Sequence, residues 1–152
     1  MEYAKDSAFV KDFVYRTKEN IRSGTHPYEV TQLVNSLIGL LVLPKERYYA
    51  NIQDKMIDTA LLSDLVECIT IPARKKCSLK YIVRRMRNAI VHFHIECKAD
   101  KYTHAIDTIV FSDYDIDHNG DVPDFQISLS VDLAERFLNQ FSEAVSNSIA
   151  EE

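Results

Sequence analysis

The sequence has few of the residues that make flexible linkers or covalent cross-links. It contains three glycines, four prolines and no tryptophan in 152 residues, and no low-complexity segment. The three cysteines, Cys68, Cys77 and Cys97, are odd in number and include no close pair. This pattern predicts reduced thiols and excludes a disulfide framework or a zinc site built on cysteine spacing.

The chain also lacks long apolar runs. Its most apolar stretch, residues 37–43, is far shorter than the ~20 residues that a membrane span needs, and the first six residues have no apolar signal core. We therefore predict a cytoplasmic protein without membrane association. A hydrophobic content of 46% in 152 residues suits one well-buried core, so residues 1–152 are predicted to form a single domain.

Acidic residues are absent between Cys68 and Ile95. Within this stretch, seven basic residues lie between Arg74 and Arg87, although the whole chain has a net charge of −5. A basic patch on an acidic protein predicts a binding site for a polyanion.

The basic stretch has the pattern of an amphipathic helix that begins after Ser78, a candidate cap, and runs to about Cys97. Asn88 and His92 are one turn apart on its polar side, and the long side chain of Arg87 could reach the imidazole from the edge. The predicted buried side comprises Ile82, Met86, Ala89, Ile90, Phe93 and Cys97. The predicted polar side comprises Arg84, Arg85, Asn88 and His92, with the apolar Val91 and Ile95 among them.

Arg87 and Asn88, followed after three residues by His92, resemble the signature of the HEPN superfamily (higher eukaryotes and prokaryotes nucleotide-binding domains). These are small helical bundles, and many members are ribonucleases. Residues 28–40 and 43–46 also resemble a bacterial branch of nucleases in this superfamily. His94 satisfies a looser version of the same spacing, but we prefer His92 because Asn88 lies one turn below it. His94 replaces the tyrosine that a partner nucleotidyltransferase modifies in some members, so that mode of control is in doubt here.

The resemblance implies a metal-independent endoribonuclease that cleaves single-stranded RNA by attack of the 2′-hydroxyl, with no cofactor. The catalytic residues would be Arg87, Asn88 and His92. Lys80, Arg84 and Arg85 would hold neighbouring phosphates. HEPN ribonucleases commonly form homodimers with a composite site, which agrees with the exposed apolar positions on the polar side of the helix. An antitoxin or another defence component is a possible partner, because bacterial members often belong to toxin–antitoxin or phage-defence systems.

The fold expected from the resemblance and the residue patterns is mainly α: an antiparallel bundle of about five helices with a small β-hairpin before the last helix. Periodicity predicts helices over residues 6–24, 25–43 and 52–69, then the basic helix and a last helix beginning at Ser130 or Asp132. Alternation over 106–112 and 125–129 predicts the hairpin. The second helix is apolar almost all round and should be central. Its polar residues Glu29, Gln32 and Asn35 either tie the helix to neighbouring backbone or support Arg87 and His92.

Three other interpretations remain open. The basic residues could form a solvated face, with His92 a satisfied surface histidine. The domain could instead be a catalytically silent HEPN module that binds RNA, a nucleotide or a protein partner. Asp115, Asp117, Asn119 and Gly120 match half of an EF-hand loop, which would make the protein calcium-responsive. The bidentate glutamate of such a loop is missing, because Gln126 occupies the twelfth position, and clusters of this composition also suit tight turns. We therefore predict no metal site.

Overall fold

A computed structural model describes residues 15–17, 19–20, 23, 29–42, 51–72, 77–114 and 122–150. Residues 15–17, 19–20 and 23 are helical. The elements with defined bounds are α1 (Glu29–Val42), a 3-10 turn (Asp54–Met56), α2 (Thr59–Glu67), β1 (Ile69–Ile71), α3 (Leu79–Val91), β2 (Ile95–Ala99), β3 (Ile106–Asp113), β4 (Phe125–Ser130) and α4 (Val131–Ala150).

The four strands form one antiparallel sheet in the order β1-β4-β3-β2. The predicted hairpin is its centre, where Phe111 of β3 pairs with Ile127 of β4. Strand β2 pairs with β3 at one edge, and β1 pairs with β4 at the other. The hairpin predicted from alternation is therefore confirmed, but it is half of a larger sheet.

Helices α3 and α4 pack against the sheet, and α1 packs against both of them. Leu37, Leu40 and Leu41 of α1 are completely buried, which confirms the prediction that this apolar helix is central. Large aromatic side chains fill the space between helices and sheet; those that are fully buried are Phe111, Phe125, Phe137 and Phe141. Burial of these apolar surfaces is the main stabilising contribution.

The expected mainly α bundle is wrong, because the fold is α/β with a four-stranded antiparallel sheet. The error arose at two short segments, Ile69–Ile71 and Ile95–Ala99, which were assigned to helix ends and loops. Each is an edge strand. A hairpin alone is marginally stable, and the two extra strands pair its free backbone groups.

The basic helix ends earlier than predicted, at Val91 and not near Cys97. The backbone N–H of Phe93 donates to the carbonyl of Ile90 (3.0 Å), and that of His94 donates to the carbonyl of Ala89 (2.8 Å). These two bonds form a Schellman motif, which closes a helix and turns the chain away from its axis. Phe93 and Cys97, predicted to be buried, are consequently exposed.

The third predicted helix, residues 52–69, is also shorter than expected, since it consists of a 3-10 turn and then α2. The predicted cap at Ser78 is confirmed, and of Ser130 and Asp132, the two predicted starts of the last helix, Ser130 is the one that caps it. Ser78 Oγ accepts a hydrogen bond from the Tyr81 N–H (3.2 Å), and Ser130 Oγ accepts one from the Leu133 N–H (3.2 Å). The predictions for residues 6–14, 24–28, 43–50, 73–76 and the calcium-like loop at 115–121 lie outside the described residues.

Candidate functional site

Helix α3 carries the basic residues of the candidate site on an exposed stripe. Lys80, Arg84 and Val91 are exposed, and Arg87 is half-buried. Their separations of four, three and four residues place all four on one side of the helix. The stripe leads toward His92, the exposed C-cap of α3. The structure thus brings together the predicted phosphate-binding residues Lys80 and Arg84, Arg87 and the end of the helix where His92 lies.

Two side chains anchor the N-terminus of α3. Ser78 caps it, as described above, and Asp54 Oδ1 of the 3-10 turn accepts a hydrogen bond from the Leu79 N–H at 2.7 Å. The first turn of α3 contains no acidic residue of its own. Asp54 supplies the negative charge that a helix N-terminus favours, and this fixes the start of the basic stripe.

Arg85 does not belong to the exposed stripe. Only 7% of its surface is exposed, and its Nη1 forms an ion pair with Asp113 Oδ2 at 2.9 Å. Its guanidinium carbon lies 6.0 Å from the ring centroid of Tyr81 and 5.8 Å from that of Phe125. These distances place a cation over two aromatic faces. Arg85, predicted to contact RNA, is therefore positioned to hold α3 against the sheet.

Asp113 connects α3 to the end of β3. It is 3% exposed, and its Oδ2 also accepts a hydrogen bond from Nδ2 of Asn88 at 3.2 Å. A single carboxylate oxygen thus receives donors from Arg85 and Asn88, which neutralises the buried charge and satisfies the amide. The Asn88 side chain is expected, from the resemblance, to orient the histidine or the nucleotide. The described contacts direct it to β3, and its backbone carbonyl accepts the His92 N–H at 3.1 Å.

The chain between α3 and β2 presents two histidines and an aromatic residue to solvent. His92, Phe93 and His94 are all exposed, and Phe93 is 91% exposed with a φ of 59°. The ring centroids of His92 and His94 are 6.2 Å apart, with 31° between the ring planes. The His94 ring meets the ring of Tyr114 edge-on at 4.7 Å. The candidate site therefore contains a histidine pair at the end of the basic stripe.

The predicted supporting residues lie on α1, next to the helix that carries the candidate site. Helix α1 packs against α3, Gln32 is half-buried and Asn35 is exposed. Glu29 begins the helix, and its side chain lies outside the described residues. No described contact joins Gln32 or Asn35 to Arg87 or His92. Their role as supporting residues remains a prediction.

Sequence reasoning missed Asp113, which was assigned to the start of the hairpin connection. A signal was present, because alternation along β3 places Asp113 on the same face as Ile109 and Phe111. A carboxylate on an apolar face requires a cationic partner. Arg85, on the helix that covers this face, is that partner.

Among the described residues, no group of three or more His, Cys, Asp or Glu side chains could hold a metal ion. The three cysteines are free, as predicted. Burial, with smaller contributions from the nearby carboxylates of Asp64 and Glu67, raises the pKa of the Cys68 thiol and makes it a poorer nucleophile. No helix in the described ranges is long and apolar enough to cross a membrane.

Comparison with known proteins gave one finding. A family model described as HEPN pEK499 p136 matches residues 1–152, the whole length of the sequence. No curated protein and no solved structure matches the chain. The match extends well beyond residues 28–46 and 87–92, the two stretches that carry the resemblance.

Proposed function

This chain belongs to the HEPN pEK499 p136 family, and on that basis we propose that it is a metal-independent endoribonuclease acting on single-stranded RNA. HEPN membership suggests a nuclease or RNA-related function. The observation that carries the narrower proposal is the basic stripe of α3, which leads from Lys80 through Arg84 and Arg87 to the exposed His92.

The proposed reaction is attack of an RNA 2′-hydroxyl on the adjacent phosphorus. A bond forms between the 2′-oxygen and phosphorus, and the bond from phosphorus to the 5′-oxygen breaks. The products are a 2′,3′-cyclic phosphate and a free 5′-hydroxyl. A base must take the 2′-proton, an acid must protonate the 5′-oxygen, and a cation must stabilise the charge on the phosphorane. This reaction requires no metal in principle.

The residues of α3 have distinct parts in this proposal. His92 transfers a proton, since histidine is the side chain best suited to do so near neutral pH. Arg87 binds the reacting phosphate through a guanidinium that can donate two parallel hydrogen bonds. Lys80 and Arg84 hold neighbouring phosphates on the exposed stripe. Asn88, held by Asp113, supports the last turn of α3 beneath His92, and Arg85 holds that turn to the sheet.

A homodimer is part of the proposal. HEPN domains commonly bind RNA and dimerise. Val91 is 49% exposed and lies on the same stripe as Arg87, so it provides an apolar contact for a second copy of α3. Two α3 helices facing each other would gather Arg87, Asn88 and His92 from both chains around one RNA strand. We place such a dimer in a toxin–antitoxin or phage-defence setting, with an antitoxin or other defence component as a further partner.

One observation favours a second candidate function, a catalytically silent HEPN module that binds RNA, a nucleotide or a protein partner. The described contacts of the Asn88 side chain go to Asp113 and not to His92. An imidazole without an orienting partner is less well prepared for proton transfer than one whose other nitrogen is held. The basic stripe would still bind a polyanion in such a module.

One experiment separates the two candidates. Wild-type protein and its His92→Ala and Arg87→Ala variants are incubated with end-labelled single-stranded RNA in EDTA, and the fragments are tested for 2′,3′-cyclic phosphate ends. The ribonuclease proposal expects cleavage by the wild type and a loss of about 10²-fold or more in both variants. RNA binding by all three proteins, with cleavage by none, would contradict it and favour the silent module.

A further inference from the structure

The reaction proposed above needs two proton-transfer groups, whereas the family signature supplies one histidine per chain. A base must accept the proton of the 2′-hydroxyl, and an acid must give one to the leaving 5′-oxygen. In a composite dimer site the second group would come from the partner. The described part of this chain contains another candidate, His94, at the same turn as His92.

His92 and His94 form a pair of exposed imidazoles on one short segment. Their ring centroids are 6.2 Å apart and their planes differ by 31°, so the two rings lie beside each other with a gap between them. Phe93 lies between them in the left-handed region (φ 59°), within the turn that ends α3. The turn thus brings both imidazoles to one end of α3.

The backbone that carries the pair is fixed on both sides. The His92 N–H donates to Asn88 at 3.1 Å, and the His94 N–H donates to Ala89 at 2.8 Å. The His94 carbonyl in turn accepts the N–H of Ser112 at 3.0 Å, which joins the segment to β3. Tyr114 lies edge-on against the His94 ring at 4.7 Å. Helix, turn and sheet together fix the backbone that carries the two rings.

The separation of the rings suits the geometry of the reaction. In an in-line displacement the attacking and leaving oxygens lie on opposite sides of phosphorus, and each proton-transfer nitrogen must come within about 3 Å of its own oxygen. Two groups that serve opposite oxygens must therefore be several ångströms apart. Imidazoles in direct contact could not do this, whereas two exposed rings with centroids 6.2 Å apart can each face one oxygen of a phosphate that lies across both of them.

We propose that His92 and His94 of the same chain are the acid–base pair for RNA cleavage, with one accepting the 2′-proton and the other protonating the 5′-oxygen. The proposal rests on the ribonuclease function proposed above. The phosphate then lies across the two imidazoles, next to the Arg87 end of the basic stripe. In the dimer proposed above, the two chains still meet around one RNA strand, and the acid and the base for one phosphate come from the same chain.

The test compares two substrates that differ in their need for an acid. Wild type, His92→Ala and His94→Ala are assayed on single-stranded RNA and on uridine 3′-(p-nitrophenyl phosphate), whose p-nitrophenolate leaves without protonation. His104→Asn is the matched control, because His104 is an exposed histidine in the β2–β3 turn, and asparagine tolerates its positive φ. Thermal melting of each variant checks that it is folded.

We expect both alanine variants to lose about 10²- to 10⁴-fold in RNA cleavage, which is the usual contribution of a positioned acid or base. One of the two, and only one, should still cleave the nitrophenyl ester at close to the wild-type rate, because it lacks only the acid. The His104→Asn control should match the wild type on both substrates.

Other results would overturn the pairing. If His94→Ala cleaves RNA like the wild type, His94 has no part in catalysis, although the ribonuclease proposal stands. If His92→Ala and His94→Ala are folded and each loses as much activity on the ester as on RNA, the division into acid and base is wrong. Failure of the wild type to cleave either substrate would instead remove the proposed function itself.

Discussion

Asp113 is the residue on which the geometry of the candidate site depends most. Its Oδ2 accepts from Arg85 at 2.9 Å and from Asn88 at 3.2 Å, and the side chains of Arg85 and Asp113 are 9% and 4% exposed. We predict that Asp113→Ala lowers the free energy of unfolding by about 3–5 kcal/mol, since it leaves a buried guanidinium without its counter-charge. Urea unfolding followed by circular dichroism measures this difference.

The matched control for that prediction removes both charges. The double variant Arg85→Met, Asp113→Leu keeps similar side-chain volumes and should recover most of the lost stability, because a buried ion pair can be replaced by apolar side chains at little cost. If Asp113→Ala unfolds at the same urea concentration as the wild type, the ion pair does not hold α3 to β3 as described here.

The backbone conformation of Phe93 is unfavourable, and its exposed side chain gains little packing energy within the monomer to compensate. Its φ of 59° lies where glycine is favoured, and the ring is 91% exposed. We predict that Phe93→Gly raises the free energy of unfolding by on the order of 1 kcal/mol, since a β-carbon is disfavoured in this conformation and little packing is lost. Chemical denaturation tests this. Phe93→Ala is the control, since it keeps the β-carbon and should bring no such gain.

At the scale of elements, the β2–β3 turn depends on Asp100. Backbone N–H groups of Thr103, and then of Tyr102, donate to its carboxylate and lower its pKa below the ordinary 3.8. A group with a lowered pKa in the folded state adds stability above its unfolded pKa, and that stability is lost as pH falls through the folded value. Asp100→Asn should therefore melt below the wild type at pH 7.

The melting temperatures of the wild type and Asp100→Asn should become equal in acid. Once the Asp100 carboxylate is protonated, its charge no longer strengthens the hydrogen bonds to Thr103 and Tyr102, and the two melting temperatures should approach each other as pH falls below 3.8. A gap between the melting temperatures that stays constant from pH 7 downward would show that the charge of Asp100 does not stabilise the turn.

Some features of helix α3 follow from its local sequence, and others depend on tertiary contacts. The cap at Ser78 and the burial of Ile82, Met86 and Ala89 follow from the residue order and were predicted. The first turn of α3 contains no acidic residue, although a helix N-terminus favours negative charge. Asp54, 25 residues away, supplies the missing negative group through its bond to Leu79, which a local pattern does not reveal.

At the scale of the whole molecule, the exposed stripe of α3 is the surface that we propose joins two chains. We predict that the wild type sediments as a dimer at micromolar concentration and that Val91→Arg shifts it to monomer, because a further cation would face its own copy across the two-fold interface. Tyr102→Ser is the control, since Tyr102 is 92% exposed but lies in the β2–β3 turn. Dimers of equal stability for Val91→Arg and wild type would place the interface elsewhere.

The sheet explains why the fold class was the largest error. Strand β1 has three residues and β2 has five, and four of the five residues of β2 are exposed. Neither strand has the alternation of buried and exposed residues by which a sequence reveals a strand. They exist because β3 and β4 offer free backbone groups at their outer edges, which is a property of the assembled sheet and not of residues 69–71 or 95–99.

The sequence by itself determined the family, the central apolar helix, the basic character of α3, the β3–β4 hairpin and the cap at Ser78, because these depend on residues close together in the chain. Only the tertiary structure decided that the fold is α/β, that Arg85 is buried against Asp113, and that α3 ends at Val91, with His92 beside His94 in the turn that follows. These features depend on partners far apart in sequence, or on a turn at Phe93 for which no glycine gives the local signal.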